Sequence, residues 1–177
     1  MKKIQPLCPA GFSIHSPSAK HTQRIAACLL QYLAPPVTLA LEGDLGAGKT
    51  CFVAALVEAL DPSLSARSPT YALAHTYRTS PVIHHVDLYR VQDQDLEDLG
   101  IETLLEDPDA IICMEWPSHR SNPLPAERVI QIVFEVQPHT RTLKFSFSKA
   151  FETDWVLTLR ENLLSVKTEA TRGRAAR

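Results

Sequence analysis

The sequence predicts an α/β fold, a central mostly parallel or mixed sheet flanked by helices with an antiparallel C-terminal extension, and three observations carry this. First, the short apolar run Val37–Leu41 leads into Gly43-Asp44-Leu45-Gly46-Ala47-Gly48-Lys49-Thr50, a complete G-x-x-x-x-G-K-[ST] phosphate loop. Second, the CFVAALVEAL that follows has helical periodicity, so strand, loop and helix occur in the required order. Third, strand-like and helix-like segments alternate downstream and close on two alternating apolar segments around Pro138-His139, which read as a hairpin. Together these specify a phosphate-loop NTPase fold. A length of 177 residues with 45% hydrophobic and 21% charged residues suits one soluble domain, expected over 1–166, followed by a basic, disordered tail over 167–177.

Taken in order, Gly11–His15 is expected as an edge strand, and Ser16-Pro17-Ser18 offers capping oxygens for a helix from Ser18 to Leu33. Pro35-Pro36 stops that helix before the buried strand. After the loop helix, Asp61-Pro62 is a stop, and a polar connection reaches Ser68-Pro69-Thr70-Tyr71. Tyr71–Tyr77 and Val82–Val86 have strand character, Val91–Leu105 reads as one or two short helices, and Ala110–Met114 as another apolar strand. A loop from Trp116 to Pro125 precedes the hairpin strands Arg128–Val136 and Thr140–Phe147. A last helix is expected over Phe151–Leu164, with Trp155 and Leu159 facing inward.

Composition narrows the possible chemistry. The formal charge of −2 gives no general reason to expect a polyanion partner. Cysteines at 8, 28, 51 and 113 contain no C-x-x-C pair, which disfavours a disulfide scaffold or a zinc ribbon. No secretory h-region and no long apolar span is present, so a cytoplasmic protein without membrane attachment is expected. From Asp87 to Asp109 nine acids face Arg90 alone; this stretch would repel RNA and suits either a basic protein partner or a solvated helix face. Lys167, Arg172, Arg174 and Arg177 make the tail basic, and simple solvation is its ordinary reading.

The loop residues are suited to phosphate because glycine lets backbone N–H groups wrap an anion, while the helix start adds unpaired amides. Lys49 can span the β- and γ-phosphates, and the Thr50 hydroxyl can ligate magnesium. Hydrolysis also needs acids at the ends of neighbouring strands. Asp87, after VIHHV, and Glu115, after AIICM, are the candidates. Glu115 could act on magnesium directly or through its water, and Asp87 could orient or activate the attacking water. The ordinary alternatives are a turn cap for Glu115 and an ion pair with Arg90 for Asp87. Thr70 could sense the γ-phosphate from a loop, or simply belong to a Pro-containing turn. His84 and His85 point to opposite sheet faces in a regular strand; packing is expected for one, solvent or edge polarity for the other, and neither is placed in the site. Trp116 could steady Glu115, exclude water or be an ordinary core aromatic.

The motifs LEGDLGAGKT, SPTY, VDLYR, DLEDLGIETLL and MEWP, in this order and spacing, resemble the bacterial TsaE (YjeE) family over about residues 12–160. That resemblance implies a magnesium-dependent ATPase supporting threonylcarbamoyl modification of the adenosine beside the anticodon of tRNA. It implies TsaB and TsaD as partners, TsaD transferring the group, with tRNA reached through the complex. It implies ATP and Mg2+ as ligands, Gly43, Asp44, Leu45, Gly46, Ala47, Gly48, Lys49 and Thr50 around the phosphates, and Thr50 and Glu115 at the metal. Asp87 and Lys49 join Glu115 in catalysis, Thr70 and Tyr71 form a switch pair, and Ser18 lies toward the adenine. Cys51 departs from the family's usual second threonine. Two other readings stay open: a small-molecule kinase, and a nucleotide-gated assembly module with slow hydrolysis. A GTPase is disfavoured because N-K-x-D is missing.

Overall fold

The computed structural model describes residues 11–91, 100–120, 124 and 127–168. Seven strands form one sheet in the order β1-β7-β6-β2-β5-β4-β3. Its centre is parallel: β2 (Val37–Gly43) lies between β5 (Ala110–Glu115) and β6 (Val129–Val136), and β4 (Val82–Asp87) runs beside β5. Antiparallel strands extend both sides, with β7 (Arg141–Phe147) and then β1 (Phe12–Ser16) beyond β6, and β3 (Ala74–Tyr77) beyond β4. Covering by helices explains why β5 is buried at every position and reads as an unbroken apolar run ending in an acid.

The faces are unequal. Ile83, Ile111 and Cys113 join a large core with Ile25 and Leu29 of α1 (Ala19–Leu30), Phe52 and Leu56 of α2 (Lys49–Leu60), and Leu159 of α4 (Thr153–Leu164). Their alternates Val86, Ile112 and Met114 join a smaller core with Leu88 and α3 (Ile101–Leu105). Side chains alternate along a strand, so Asp87 and Glu115, two residues beyond His85 and Cys113, lie on the α2 side at the strands' carboxyl ends. Asp87 and Glu115 are register partners, as are Leu41 and Glu115.

Several expectations change in detail. Ser18 sits outside the first helix as its N-cap, its hydroxyl oxygen accepting the His21 amide at 3.1 Å, and α1 ends at Leu30. The expected strand Tyr71–Tyr77 shrinks to Ala74–Tyr77. Its first residues are held in a turn in which the Leu73 amide donates to the Pro69 carbonyl, and Leu73 itself takes φ 63°, which removes the segment from the ladder. Asp87 and Glu115 prove to be the last residues of their strands. Trp155 is partly buried and packs edge-on to Phe147 at 6.0 Å, whereas Leu159 is fully buried. The acidic stretch 92–99 and the tail from 169 lie outside the described residues.

Candidate nucleotide site

The loop between β2 and α2 has its shape because two glycines permit it. Gly43 takes φ 141°, and a Cβ there would meet the Phe134 carbonyl at 2.6 Å; Gly48 takes φ 106°, and a Cβ would meet Arg141 Nη1 at 2.6 Å. Only glycine combines these dihedrals with that closeness. Lys49, the first residue of α2, turns back so that Nζ donates to the Gly43 and Asp44 carbonyls at 2.6 and 3.0 Å. The ammonium also lies 3.8 Å from the centre of the Trp116 ring, a cation–π contact. Burial pushes the Lys49 ammonium below the usual lysine range, opposed by the nearby carboxylates of Glu115, Asp87, Glu42 and Asp44.

Two carboxylates converge on the loop from neighbouring strands. Glu115, 3% exposed, accepts at Oε1 from the Thr50 hydroxyl at 2.8 Å and from His85 Nε2 at 2.8 Å. Asp87, also 3% exposed, accepts at Oδ2 from the hydroxyls of Ser68 and Thr70 at 2.8 and 2.7 Å, and at Oδ1 from the Tyr89 amide at 3.0 Å. The Asp87 carboxylate is therefore engaged by the Ser68–Thr70 segment, while Arg90 lies over the Tyr71 ring at 4.8 Å. An open cavity of about 480 Å³ runs from Leu45 and Lys49 across Thr50 to Thr70, Asp87 and Glu115.

This arrangement offers two kinds of binding chemistry. Loop amides, the start of α2 and Lys49 supply donors and positive charge suited to phosphate. Thr50 and Glu115 supply hard oxygen donors side by side. Among the described residues no group of three or more His, Cys, Asp or Glu could hold a metal ion alone. A pair of protein oxygens completed by phosphates and water is the usual provision for Mg2+, so the donors present fit that ion.

The family model for "Threonylcarbamoyl adenosine biosynthesis protein TsaE" matches residues 16–145, which span the loop, both carboxylates and most of the hairpin. The chain belongs to the TsaE family. Among the tRNA threonylcarbamoyladenosine biosynthesis proteins TsaE, that of Rickettsia felis is 31% identical over 160 residues, covering 88% of this chain and 92% of the relative. The Bacillus subtilis protein is 30% identical over 128 residues, covering 72% and 80%, and the Aquifex aeolicus protein 37% over 122, covering 67% and 85%. The crystal structure of Bacillus subtilis YdiB superposes with a TM-score of 0.63 at 23% identity, over 90% of this chain and 96% of that one, and shows the same fold.

In this TsaE-family chain, Leu45, Gly46, Gly48, Lys49, Thr50, Thr70, Tyr71, Asp87 and Glu115 line one cavity. Gly43, Asp44 and Ala47, expected around the phosphates, do not line it: the Gly43 and Asp44 carbonyls accept from Lys49 Nζ, and Ala47 is buried. Ser18 does not line the cavity; its hydroxyl caps α1. Leu45 and Tyr71 stand 74% and 87% exposed at the rim. Sequence reasoning missed three contributors. His85, placed outside the site, is fully buried against Glu115, and its i, i+2 spacing from Asp87 was the available signal. Ser68 duplicates the Thr70 bond to Asp87, as a hydroxyl two residues away in the same turn. Arg141 reaches the Ala47 carbonyl at 3.4 Å from the antiparallel hairpin, and no local pattern near the loop announces it.

Proposed function

We propose that this protein is a magnesium-dependent ATPase that supports threonylcarbamoyl modification of the tRNA adenosine beside the anticodon, working with TsaB and TsaD. Family membership gives the biosynthetic setting. The observation that carries hydrolysis is the convergence of Thr50, Glu115 and Asp87 at the open end of one phosphate loop, each with its oxygen oriented by a hydrogen bond.

When ATP binds, Lys49 exchanges the Gly43 and Asp44 carbonyls for phosphate oxygens, a gain because a charge-assisted bond to an anion is stronger than one to a neutral carbonyl. Loop amides from Leu45 to Thr50 hold the remaining phosphate oxygens. Thr50 and Glu115 would hold Mg2+, Thr50 through oxygen lone pairs left free when its hydrogen goes to Glu115, and the ion would supply positive charge against the charge that develops on the phosphates. Asp87 orients a water in line with the terminal phosphorus. The water's oxygen bonds to phosphorus as the bond to the ADP oxygen breaks, and Asp87 receives the proton. Ser68 and Thr70 tie the switch segment to Asp87, so a rearrangement of that segment changes the group that positions water. Tyr71 lies at the rim of the same segment.

The same linkage supports a second reading, a nucleotide-gated assembly module in which hydrolysis is slow and the state of the 68–71 segment sets partner affinity. Reconstitution with TsaB, TsaD, tRNA and a threonylcarbamoyl-adenylate as group donor separates the two. The ATPase reading expects phosphate release and repeated rounds of modification, both lost in Lys49→Ala. A wild-type complex that assembles with ATP and modifies tRNA repeatedly without consuming ATP would defeat it in favour of gating.

A further inference from the structure

Of the three buried histidines among the described residues, two are bonded through both ring nitrogens and one is not. His21 bonds through both ring nitrogens, to Ser16 Oγ at 3.3 Å and to the Val166 carbonyl at 3.0 Å. His84 does the same, to Thr76 at 2.9 Å and Asp107 at 2.9 Å. His85 is more deeply buried than either, at 0% exposed, yet makes one bond, Nε2 to Glu115 Oε1 at 2.8 Å, and leaves Nδ1 buried without a partner. A carboxylate only accepts, so the hydrogen of this bond belongs to Nε2. An unpaired buried nitrogen is unfavourable, and an apolar side chain of similar shape would avoid it. A histidine kept purely for packing does not account for that cost, whereas a donor aimed at Glu115 does.

The geometry around Glu115 says what the donor does. His85 stands across from Cys113 in the parallel β4–β5 pair, one side-chain layer below the Asp87–Glu115 pair and on the same sheet face. Its ring therefore reaches up and across to Glu115 from beneath, whereas Thr50 approaches from the start of α2. Both donors meet the same oxygen, Oε1. Two bonds to one oxygen fix the rotation of the carboxylate and thereby the direction of its other oxygen. Thr50 belongs to the loop that must adjust to nucleotide, but His85 belongs to β4, a strand held between β5 and β3.

We propose that His85 is a positioning residue that holds the Glu115 carboxylate in its metal-binding orientation from the core side. This rests on the reading of Thr50 and Glu115 as the Mg2+ side of the nucleotide site. Outer partners of a metal ligand act by orienting it, so their loss is felt in metal affinity before it is felt in the rest of the ligand.

The test measures ADP affinity calorimetrically in EDTA and across a Mg2+ series, for wild type, His85→Phe and His85→Gln. Phenylalanine fills the ring volume without a donor, and the glutamine amide nitrogen reaches about as far as Nε2. In His85→Phe, ADP affinity in EDTA should stay within about twofold of wild type while the Mg2+ concentration for half of the tightening rises about tenfold. His85→Gln should recover most of that loss. Should His85→Phe not fold, His85→Asn, whose shorter amide does not reach Oε1, takes its place against glutamine. The inference is overturned if the donorless variant keeps the wild-type Mg2+ requirement, if it loses affinity equally in EDTA, or if glutamine is as impaired as the donorless variant. A wild-type protein whose ADP affinity ignores Mg2+ would instead remove the underlying reading of Thr50 and Glu115, and this inference with it.

Discussion

The Thr50 hydroxyl donates to Glu115 Oε1 over 2.8 Å, joining the first turn of α2 to the last residue of β5. A hydroxyl has one hydrogen, and here it is committed to the carboxylate, which leaves the oxygen lone pairs of Thr50 free. The phosphate loop and the acidic strand end are thus one unit.

Thr50→Val keeps the shape of the side chain and removes the hydroxyl. The expected result is ATP binding in EDTA close to wild type, with the Mg2+-dependent tightening reduced by about tenfold or more, the scale of a lost hydrogen bond to a charged group. Titration calorimetry at fixed Mg2+ checks this, and an unchanged Mg2+ effect would count against Thr50 as a ligand.

The Lys49 ammonium stacks on Trp116 at 3.8 Å and should leave it for phosphate when nucleotide binds. In a Trp155→Phe background, where Trp116 is the remaining tryptophan, ATP should change the emission. Lys49→Met should abolish the response and weaken ATP binding by roughly tenfold or more, because a charge-assisted contact to phosphate is gone. Emission that ignores saturating ATP would contradict the movement of Lys49.

Asp87→Asn retains the acceptor oxygen for Ser68 or Thr70 but cannot take a proton. Single-turnover hydrolysis in the partner complex should fall by about 10²- to 10⁴-fold, the range for a positioned general base, with ATP affinity within about threefold of wild type. Thr70→Val should slow turnover less, since Ser68 still donates to the same oxygen. Equal rates for Asp87→Asn and wild type would remove Asp87 from the chemistry.

Acid sensitivity should report on a contact remote from the loop. The hydrogen bond from His84 holds the Asp107 carboxyl below its usual range, helped by the Asp109 amide. A carboxyl with a depressed folded value stabilises the fold above its unfolded value of about 3.9 and loses that contribution as pH falls through the folded value. Asp107→Asn, which resembles the protonated acid, should therefore lower the urea midpoint at pH 7, and the difference should close as pH falls through the depressed folded value. A difference that persists unchanged at low pH would mean that charge is not its source.

The loop, its strand and its helix were legible in sequence because the determinants are local: glycines at fixed spacing, Lys49 and Thr50 beside them, and apolar periodicity on either side. The hairpin was equally clear from alternation around Pro138-His139. A Pro-containing turn was one reading of the 68–71 segment, but its extension through Leu73 was not legible, since Tyr71 to Tyr77 has strand composition. It leaves the ladder because Ser68 and Thr70 bond to Asp87 and because Leu73 takes a left-handed conformation. Those partners are distant in sequence.

The sequence by itself determined the fold class and its family, and it nominated Lys49, Thr50, Asp87 and Glu115, because each carries its signal in its immediate neighbours. Only the tertiary structure decided that Thr50 and His85 share one oxygen of Glu115, that Lys49 rests on Trp116, and that Arg141 backs the loop. The reason is register. Parallel pairing of β4 with β5 sets His85 one layer beneath Glu115, and antiparallel pairing of β7 with β6 brings Arg141 to Ala47. Alternation can assign each residue a face, but which strand lies next to it, and at what offset, is fixed by packing across the whole sheet.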